Sequence, residues 1–324
     1  MTNDKGPMTN DKGPMIITVT FNSALDRLLF IDEFQPSTTI RPHKMVEAVG
    51  GKGFDVSVVL QALGVENLAL GFVAGLNGQQ LVKLLEGYGI RHDLDWVEGE
   101  TRIAHVVVET IHHRHTHLIA AGLSVSNKAY QKFLKRYRTH LKKATWVVAG
   151  GSVAPRMPVT VYRDLTELAH QAGVSMLLDS FGPPLLETLS LPPAILKLNH
   201  QEFNQTFKIQ THSLDELATT ARTIRQTHGL PALVITCGPE GILAITAKES
   251  YLATAPTQQA VNAAGAGDSV SAALLWRFLA GDDWPAALRW AAATGAAVTL
   301  TEKTAEYHWP DVERLARDTT VQRL

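Results

Sequence analysis

The sequence predicts an α/β protein: a three-layer sandwich on a mainly parallel central sheet, with a small β-sheet lid. Three observations carry this. Short apolar runs alternate with helical stretches over most of the 324 residues. Strands separated by helices need crossover connections, which build parallel sheets covered on both faces. Two stretches break that rhythm with strand-like runs and no helix between them. A 45% hydrophobic content is enough for a large buried core in a chain of this length.

In chain order, Ile16 to Thr20 reads as a strand, and Gly53 to Leu63 as a helix stopped at Gly64. Leu68 to Val73 is a strand, followed by a helix near Gln79 to Tyr88. Trp146 to Ala149, Val174 to Leu178, Ile195 to Leu198 and Leu233 to Thr236 are further buried strands. Helical patterns at Asn127 to Lys142, Val159 to Gln171 and Leu214 to Thr227 separate most of them. From Ala266 to Leu300 the chain is alanine-rich and mostly helical. The two exceptions are 26–49, with LLFIDEF and KMVEAV, and 101–120, with IAHVVVE and THLIA around HHRH. Each reads as hairpin material, together forming a lid over the sheet's carboxyl edge, where α/β proteins bind ligands.

Composition excludes several classes. A formal net charge of -1 offers nothing for nucleic acid or an anionic membrane. The single cysteine, Cys237, allows no intrachain disulfide, and its apolar run favours a small core residue over a nucleophile. The heptad MTNDKGP stands twice in tandem before Met15. It is too polar for a signal peptide, so 1–14 reads as a disordered leader or an artificial scar. No run is long and apolar enough to span a bilayer, which makes a soluble cytoplasmic protein the default expectation. His112, His113, His115 and His117 invite a metal reading, with 113, 115 and 117 on one strand face. Without Cys or carboxylates at ligand spacing, a solvated hairpin turn is favoured.

Two segments carry chemistry. In Val261-Asn262-Ala263-Ala264-Gly265-Ala266-Gly267-Asp268-Ser269, glycines open an apolar helix. Backbone N–H groups converge there and the helix end adds positive charge, which suits a phosphate, while Asp268 can take a proton. An Asp cap on an ordinary helix is an equal reading of this segment alone. In Gly50-Gly51-Lys52-Gly53-Phe54-Asp55, glycines and one cation lead into a helix, suiting an anionic or polyhydroxy ligand; a plain glycine turn is as good a reading. A P-loop fails, because Val46 stands where its first glycine belongs and Gly53 follows Lys52. A dinucleotide fingerprint fails at Val270, and no clear strand precedes Gly265.

Taken together, these segments resemble the two signatures of the PfkB, or ribokinase-like, carbohydrate kinases: GGKGFDVSVVLQALG and NAAGAGDSVSAAL, in the family's order. Phe21-Asn22-Ser23-Ala24-Leu25-Asp26, Thr101-Arg102-Ile103 and Gly150-Gly151-Ser152 resemble motifs of its phosphofructokinase and tagatose-phosphate kinase branch. Lys197-Leu198-Asn199-His200-Gln201-Glu202 resembles Lys-Pro-Asn-x-x-Glu, and Thr236-Cys237-Gly238-Pro239-Glu240-Gly241 a Thr-x-Gly-x-x-Gly nucleotide loop. The resemblance runs from Met15 to the C-terminus.

It implies an ATP-dependent kinase using Mg²⁺ and acting on a small sugar phosphate, with free sugars or nucleosides as the alternative acceptors. A sugar-phosphate-binding regulatory relative is the non-enzymatic alternative; an intact Asp268 argues against it. By resemblance, Asp268 is the general base, and Gly265, Ala266 and Gly267 donate N–H bonds to the transferring phosphoryl. Asn199 and Glu202 organise Mg²⁺ through water. Asn199, Thr236, Gly238 and Gly241 line the nucleotide. On the acceptor side, Gly51 lets the backbone approach, Asp26 binds sugar hydroxyls, and Lys52 and Arg102 converge on the substrate's phosphate. Read singly, these residues are a helix cap, a strand-end turn and solvated surface charges. A homodimer paired through the lids is also implied.

Departures cluster on the acceptor half. Asp55 stands where the family usually has Asn, Ala104 where the branch has Asn, Ser23 for Pro and Ala263 for Thr. The Gly150-Gly151-Ser152 loop continues as Val153-Ala154-Pro155 where the branch has Leu-Pro-Pro. An ionised Asp55 accepts from hydroxyls but cannot donate, which puts the acceptor's identity in doubt.

Overall fold

A computed structural model describes residues 15–112 and 114–324; the leader expected at 1–14 and His113 lie outside the described residues. The chain runs β1 (Met15–Thr20), β2 (Ala24–Ile31), β3 (Lys44–Gly50), α1 (Lys52–Ala62), β4 (Asn67–Val73), α2 (Gly75–Gly87), β5 (Arg91–Trp96), β6 (Arg102–Glu109) and β7 (Arg114–Ile119). It continues through α3 (Asn127–Leu141), β8 (Ala144–Gly150), α4 (Val161–Gln171), β9 (Ser175–Asp179), α5 (Gly182–Thr188), β10 (Ile195–Asn199), α6 (His200–Phe207), α7 (Leu214–Thr227) and β11 (Ala232–Thr236). A short 3₁₀ turn, Gly238–Glu240, leads to β12 (Ile242–Thr246), β13 (Ser250–Thr254), α8 (Ala266–Leu279), α9 (Trp284–Val298), α10 (Trp309–Asp318) and β14 (Thr320–Arg323).

Ten strands form one sheet, ordered β14-β13-β12-β11-β10-β9-β8-β1-β4-β5. From β11 through β5 every pairing is parallel. Strands β1 and β4 are buried at every position, as strands covered on both faces must be. The β12-β13-β14 edge is antiparallel, which the sequence pattern did not reveal. Nor did it show β5, α5, α6 or α10, and α2 starts at Gly75, ahead of the expected Gln79.

The helices divide between the two faces. Side chains under α3, α4 and α7 join Phe21, Phe72, Phe133 and Tyr137 in one core. On the opposite face α1, α2, α8 and α9 build the second, around Phe54, Leu81, Leu274 and Leu288. Gly295 lets α9 lie close on α8: a Cβ there would stand 3.1 Å from Val270 and 3.3 Å from the Ala266 carbonyl.

A separate four-stranded sheet, β3-β2-β6-β7, is built from the two stretches that lacked a helix. Its hairpins are antiparallel, β2-β3 and β6-β7, joined by a parallel β2-β6 pairing. One face carries Leu28, Phe30, Ala48, Val106 and Val108 as a small core of its own. Cross-strand register places Asp26 and Arg102 on that same face.

The histidine expectation needs correction. His115 and His117 lie in β7, on one face, with rings 5.3 Å apart, and His112 falls in the turn, beside Glu33. No cluster of metal-ligating side chains occurs among the described residues.

Candidate active site

The site forms where the carboxyl ends of β1, β9, β10 and β11 meet the first turns of α1 and α8. Its helix-led half is set by glycine. Gly265 caps α8 at φ +80°, and a Cβ there would fall 2.6 Å from the Ala305 nitrogen. Asn262 holds the loop from both sides: its Oδ1 accepts from the Ala264 N–H at 3.0 Å, and its Nδ2 donates to the Glu302 carbonyl at 3.1 Å. The first N–H groups of α8 have no carbonyl within the helix to bond, so the loop presents them outward with the helix's positive end.

Beneath them lies a compact ion network. Lys52 Nζ donates to Asp179 Oδ1 at 2.7 Å and to Glu202 Oε1 at 3.1 Å. Lys197 Nζ meets Asp179 Oδ2 at 2.5 Å and passes below Gly267, where a Cβ would stand 3.5 Å from it. Burial opposes the Asp179 charge, but Lys197 and then Lys52 outweigh it and hold its carboxyl below the ordinary range. Burial likewise opposes the Lys52 charge; Asp179, then Glu202 and Asp268, overcome it and keep the ammonium above the ordinary lysine range. Asp268 is only 8% exposed. Burial first, then the Asp179 carboxylate, push it up to about 7, with Lys52 and Lys197 restraining the rise.

A cavity of about 620 Å³ opens over this network. Gly265, Ala266, Gly267 and Asp268 line one side; Asn199, Thr236, Gly238 and Gly241 line another, and His117 reaches it from β7. Gly241 (φ +111°) has no room for a side chain, since a Cβ would sit 2.2 Å from the Ala253 carbonyl. Asn199 and Glu202 form a reciprocal capping box on α6. Glu202 is therefore ion-paired and capping rather than a solvated surface charge. The expected magnesium pair can offer Glu202 beside Asp179, but no protein cage of three or more ligands exists among the described residues. That donor set suits an ion carried largely by nucleotide phosphates and water.

The other half of the site lies against the small sheet. Asp26, on β2, accepts from Thr304 Oγ1 at 3.1 Å. Gly50 makes room for it: a Cβ there would stand 2.0 Å from Asp26 Oδ1. Burial pushes Asp26 up to about 7; the Thr304 hydrogen bond opposes this, Asp268 adds to it and Arg102 opposes it. Asp55, in the first turn of α1, is 5% exposed. Burial, then Asp268 and Asp26, hold its carboxyl well above the ordinary range. Gly51 caps α1 at φ +113°.

Arg102 Nη2 donates to the Asn22 carbonyl at 3.1 Å and lies 3.5 Å from Ser152 Oγ, which itself accepts from Asn22 Nδ2 at 3.0 Å. Among the described residues Arg102 forms no carboxylate ion pair. Four buried polar atoms in this region have no hydrogen-bond partner: Thr20 Oγ1, Asn22 Oδ1, Asp55 Oδ1 and Arg102 Nε. Such atoms are costly unless a ligand completes them.

The structure places Lys52 and the Gly265–Asp268 loop on the cavity, and Asp26 and Arg102 on the small sheet beside it. The Lys52 ammonium is held by Asp179 and Glu202. Asp179 was missed, and Lys197 was noted only as part of its motif, with no role. The available signal was a charged residue at or near the end of each apolar strand, at the sheet edge where α/β proteins bind ligands. Thr304, from the α9–α10 loop, carried no sequence signal.

A sandwich of this kind, with a glycine-led helix end facing an aspartate and a buried lysine network, defines the α/β phosphotransferase class. Residues 18–311 match the profile described as pfkB family carbohydrate kinase, and the chain belongs to that family. It is an ATP-dependent sugar kinase by membership. It is 28% identical over 310 residues to the 1-phosphofructokinase of Bacillus subtilis, covering 96% of this chain and 100% of that protein. It is 29% identical over 289 residues to the D-tagatose-1-phosphate kinase of Bacillus licheniformis, covering 89% and 93%. Among solved structures, a Thermotoga maritima protein described as a possible 1-phosphofructokinase superposes with a TM-score of 0.87 at 25% identity, covering 96% of this chain and 99% of that one.

Proposed function

We propose that this kinase moves the γ-phosphoryl of ATP to a hydroxyl of a small ketose phosphate. The observation that carries this is Arg102: a half-buried guanidinium with no carboxylate partner, an orphan Nε, and Asn22 and Ser152 beside it. A planar fork left open in this way suits a phosphate monoester, which takes two parallel hydrogen bonds. Both curated relatives are named for phosphorylated ketohexoses, which supports the same acceptor class.

In this reading Asp268 takes the proton of the acceptor hydroxyl as its oxygen bonds to the γ-phosphorus. The bond from that phosphorus to the β–γ bridging oxygen breaks, and ADP leaves. A base that titrates near neutrality suits the task. The Gly265, Ala266 and Gly267 amides, with Lys197 beneath Gly267, stabilise the charge on the moving phosphoryl. Asn199, Thr236, Gly238 and Gly241 hold the nucleotide. Asn199 and Glu202 would hold a magnesium ion through water, and that ion would supply charge neutralisation at the phosphates. Gly51 and Asp26 position the sugar, and the small sheet of β2, β3, β6 and β7 serves as the lid.

One observation favours an unphosphorylated acceptor instead. Asp26, Asp55 and Asp268 put three carboxyls around the place a dianionic substrate would enter. Magnesium- and ATP-dependent ADP release decides between the two. The panel is fructose 1-phosphate, fructose 6-phosphate, tagatose 1- and 6-phosphates, ribose, free fructose and a nucleoside, with Asp268→Asn as control. Turnover of a ketose phosphate supports the proposal; turnover confined to free sugars or nucleosides removes it.

A further inference from the structure

Three carboxyls meet where β2, α1 and α8 converge, and they are 8%, 5% and 8% exposed for Asp26, Asp55 and Asp268. Asp26 has Thr304 as a hydrogen-bond donor, and Asp268 has the lysine network below it. Asp55 receives a backbone hydrogen bond from Gly51, which favours its charged form, but burial and the two neighbouring carboxyls outweigh it. The Asp55 Oδ1 is sealed from solvent and has no partner. Lys52, one turn away on the same helix, gives its ammonium to Asp179 and Glu202.

The ionisable groups facing Asp55 are few. Asp268 comes from α8, Asp26 from β2 and Lys52 from α1 itself, and the Tyr88 phenol at the end of α2 feels its charge. Strands β1, β4 and β8, which also pack on α1, carry no ionisable side chain. On β3, Lys44 pairs with Glu302 and Glu47 with Arg27. A buried anion with an orphan oxygen beside two other carboxyls is the least favourable arrangement available.

We propose that Asp55 works as a neutral acid, donating its O–H to an acceptor oxygen, and is the member of the three-carboxyl cluster that keeps its proton while Asp26 and Asp268 ionise. A neutral carboxyl both donates and accepts, as an amide does, so the loss of donation expected from an aspartate at this position does not occur. Ionisation at high pH removes the donor and adds a third negative charge beside the base. This proposal rests on the acceptor reading given under Proposed function for what Asp55 contacts, but not for its protonation. Burial with like-charged neighbours is a familiar way for a carboxyl to stay protonated and donate.

The test uses the full-length protein as parent, Asp55→Asn and Asp55→Ala. Infrared difference spectra at neutral pH, with no substrate present, look for the C=O stretch of a protonated carboxyl. The expected result is such a band in the parent that is missing from Asp55→Asn. In kinetics, kcat/KM of the parent falls on the alkaline side, and Asp55→Asn loses that limb. Asp55→Ala, lacking any hydrogen-bonding group, loses about tenfold or more in kcat/KM. Identical carboxyl bands in parent and Asp55→Asn overturn the proposal, as does an Asn variant as inactive as Asp268→Asn. A band lost as expected, with turnover only on unphosphorylated acceptors, keeps the neutral Asp55 and discards the sugar-phosphate reading.

Discussion

The two halves of the site are built on opposite electrostatic plans. Around α8, charges arrive matched: Asp179 holds Lys52 and Lys197, and Glu202 shares Lys52. Against the small sheet they do not. Among the described residues Asp26, Asp55 and Arg102 form no close ion pair, and four polar atoms there lack hydrogen bonds. The phosphoryl-transfer half is assembled before any ligand binds, as preorganised electrostatic catalysis requires. The acceptor half is completed only by what it binds. Substitutions in the first half should therefore act on kcat and on stability, and in the second on KM and selectivity.

The largest effect is expected at Asp268. Asp268→Asn keeps the shape but cannot take a proton, so kcat should fall by about 10²–10⁴-fold while nucleotide binding survives, checked by turnover and ATP titration. Stability should move the other way. Asp268 titrates at about 7 in the folded protein against an ordinary 3.8, so the folded state holds the proton more tightly. Stability contributed by this group is full at low pH and declines as pH rises from the ordinary carboxyl range to about 7. At pH 8 the amide should raise the melting temperature above that of the parent, and at pH 4 the gain should vanish. Equal melting temperatures at pH 8 would contradict the buried-charge account.

Asp179→Asn attacks the matched half directly. It leaves the buried Lys197 ammonium without its ion partner and Lys52 with Glu202 alone, and removing one partner of a buried pair costs about 3–5 kcal/mol. Denaturant unfolding should show that loss along with reduced kcat. A variant as stable as the parent would mean that the network is not the keystone of this half.

Arg102→Ala tests the open half. KM should rise about 10- to 100-fold for phosphorylated acceptors, the scale of a hydrogen bond to a charged group, with free sugars and ATP little affected. Equal losses on phosphorylated and free acceptors would assign Arg102 to packing.

The same contrast explains what could be read from the sequence. Parallel strands and their helices were legible because full burial leaves continuous apolar runs, and the glycine loops because glycine at Gly51, Gly241 and Gly265 has a steric cause in φ and in close backbone approach. The antiparallel edge was not, because β12 and β13 are short apolar runs without crossover helices to announce them. The ion partners of Lys52, Asp179 and Glu202, were not legible because they lie 127 and 150 residues away, and spacing does not encode such pairings. Asp55 read as an ionised departure because its protonation depends on Asp26 and Asp268, which only the fold brings near.

The smallest expected effect comes from the tie between the small sheet and the α9–α10 loop. Lys44 on β3 pairs with Glu302, and the two side chains are 47% and 46% exposed. Pairs so exposed contribute about 0–1 kcal/mol, and less as salt rises. From buried positions Asn262 holds the same loop at the Glu302 carbonyl, and Thr304 of the loop donates to Asp26 on the small sheet. Lys44→Ala should therefore shift the melting temperature by no more than a degree or two and leave KM nearly unchanged, whereas Thr304→Val, which strips Asp26 of the Thr304 hydrogen bond, should raise the acceptor KM severalfold. A Lys44 variant that matched or exceeded Thr304→Val would show that the exposed pair, and not the buried hydrogen bonds, holds the small sheet over the acceptor.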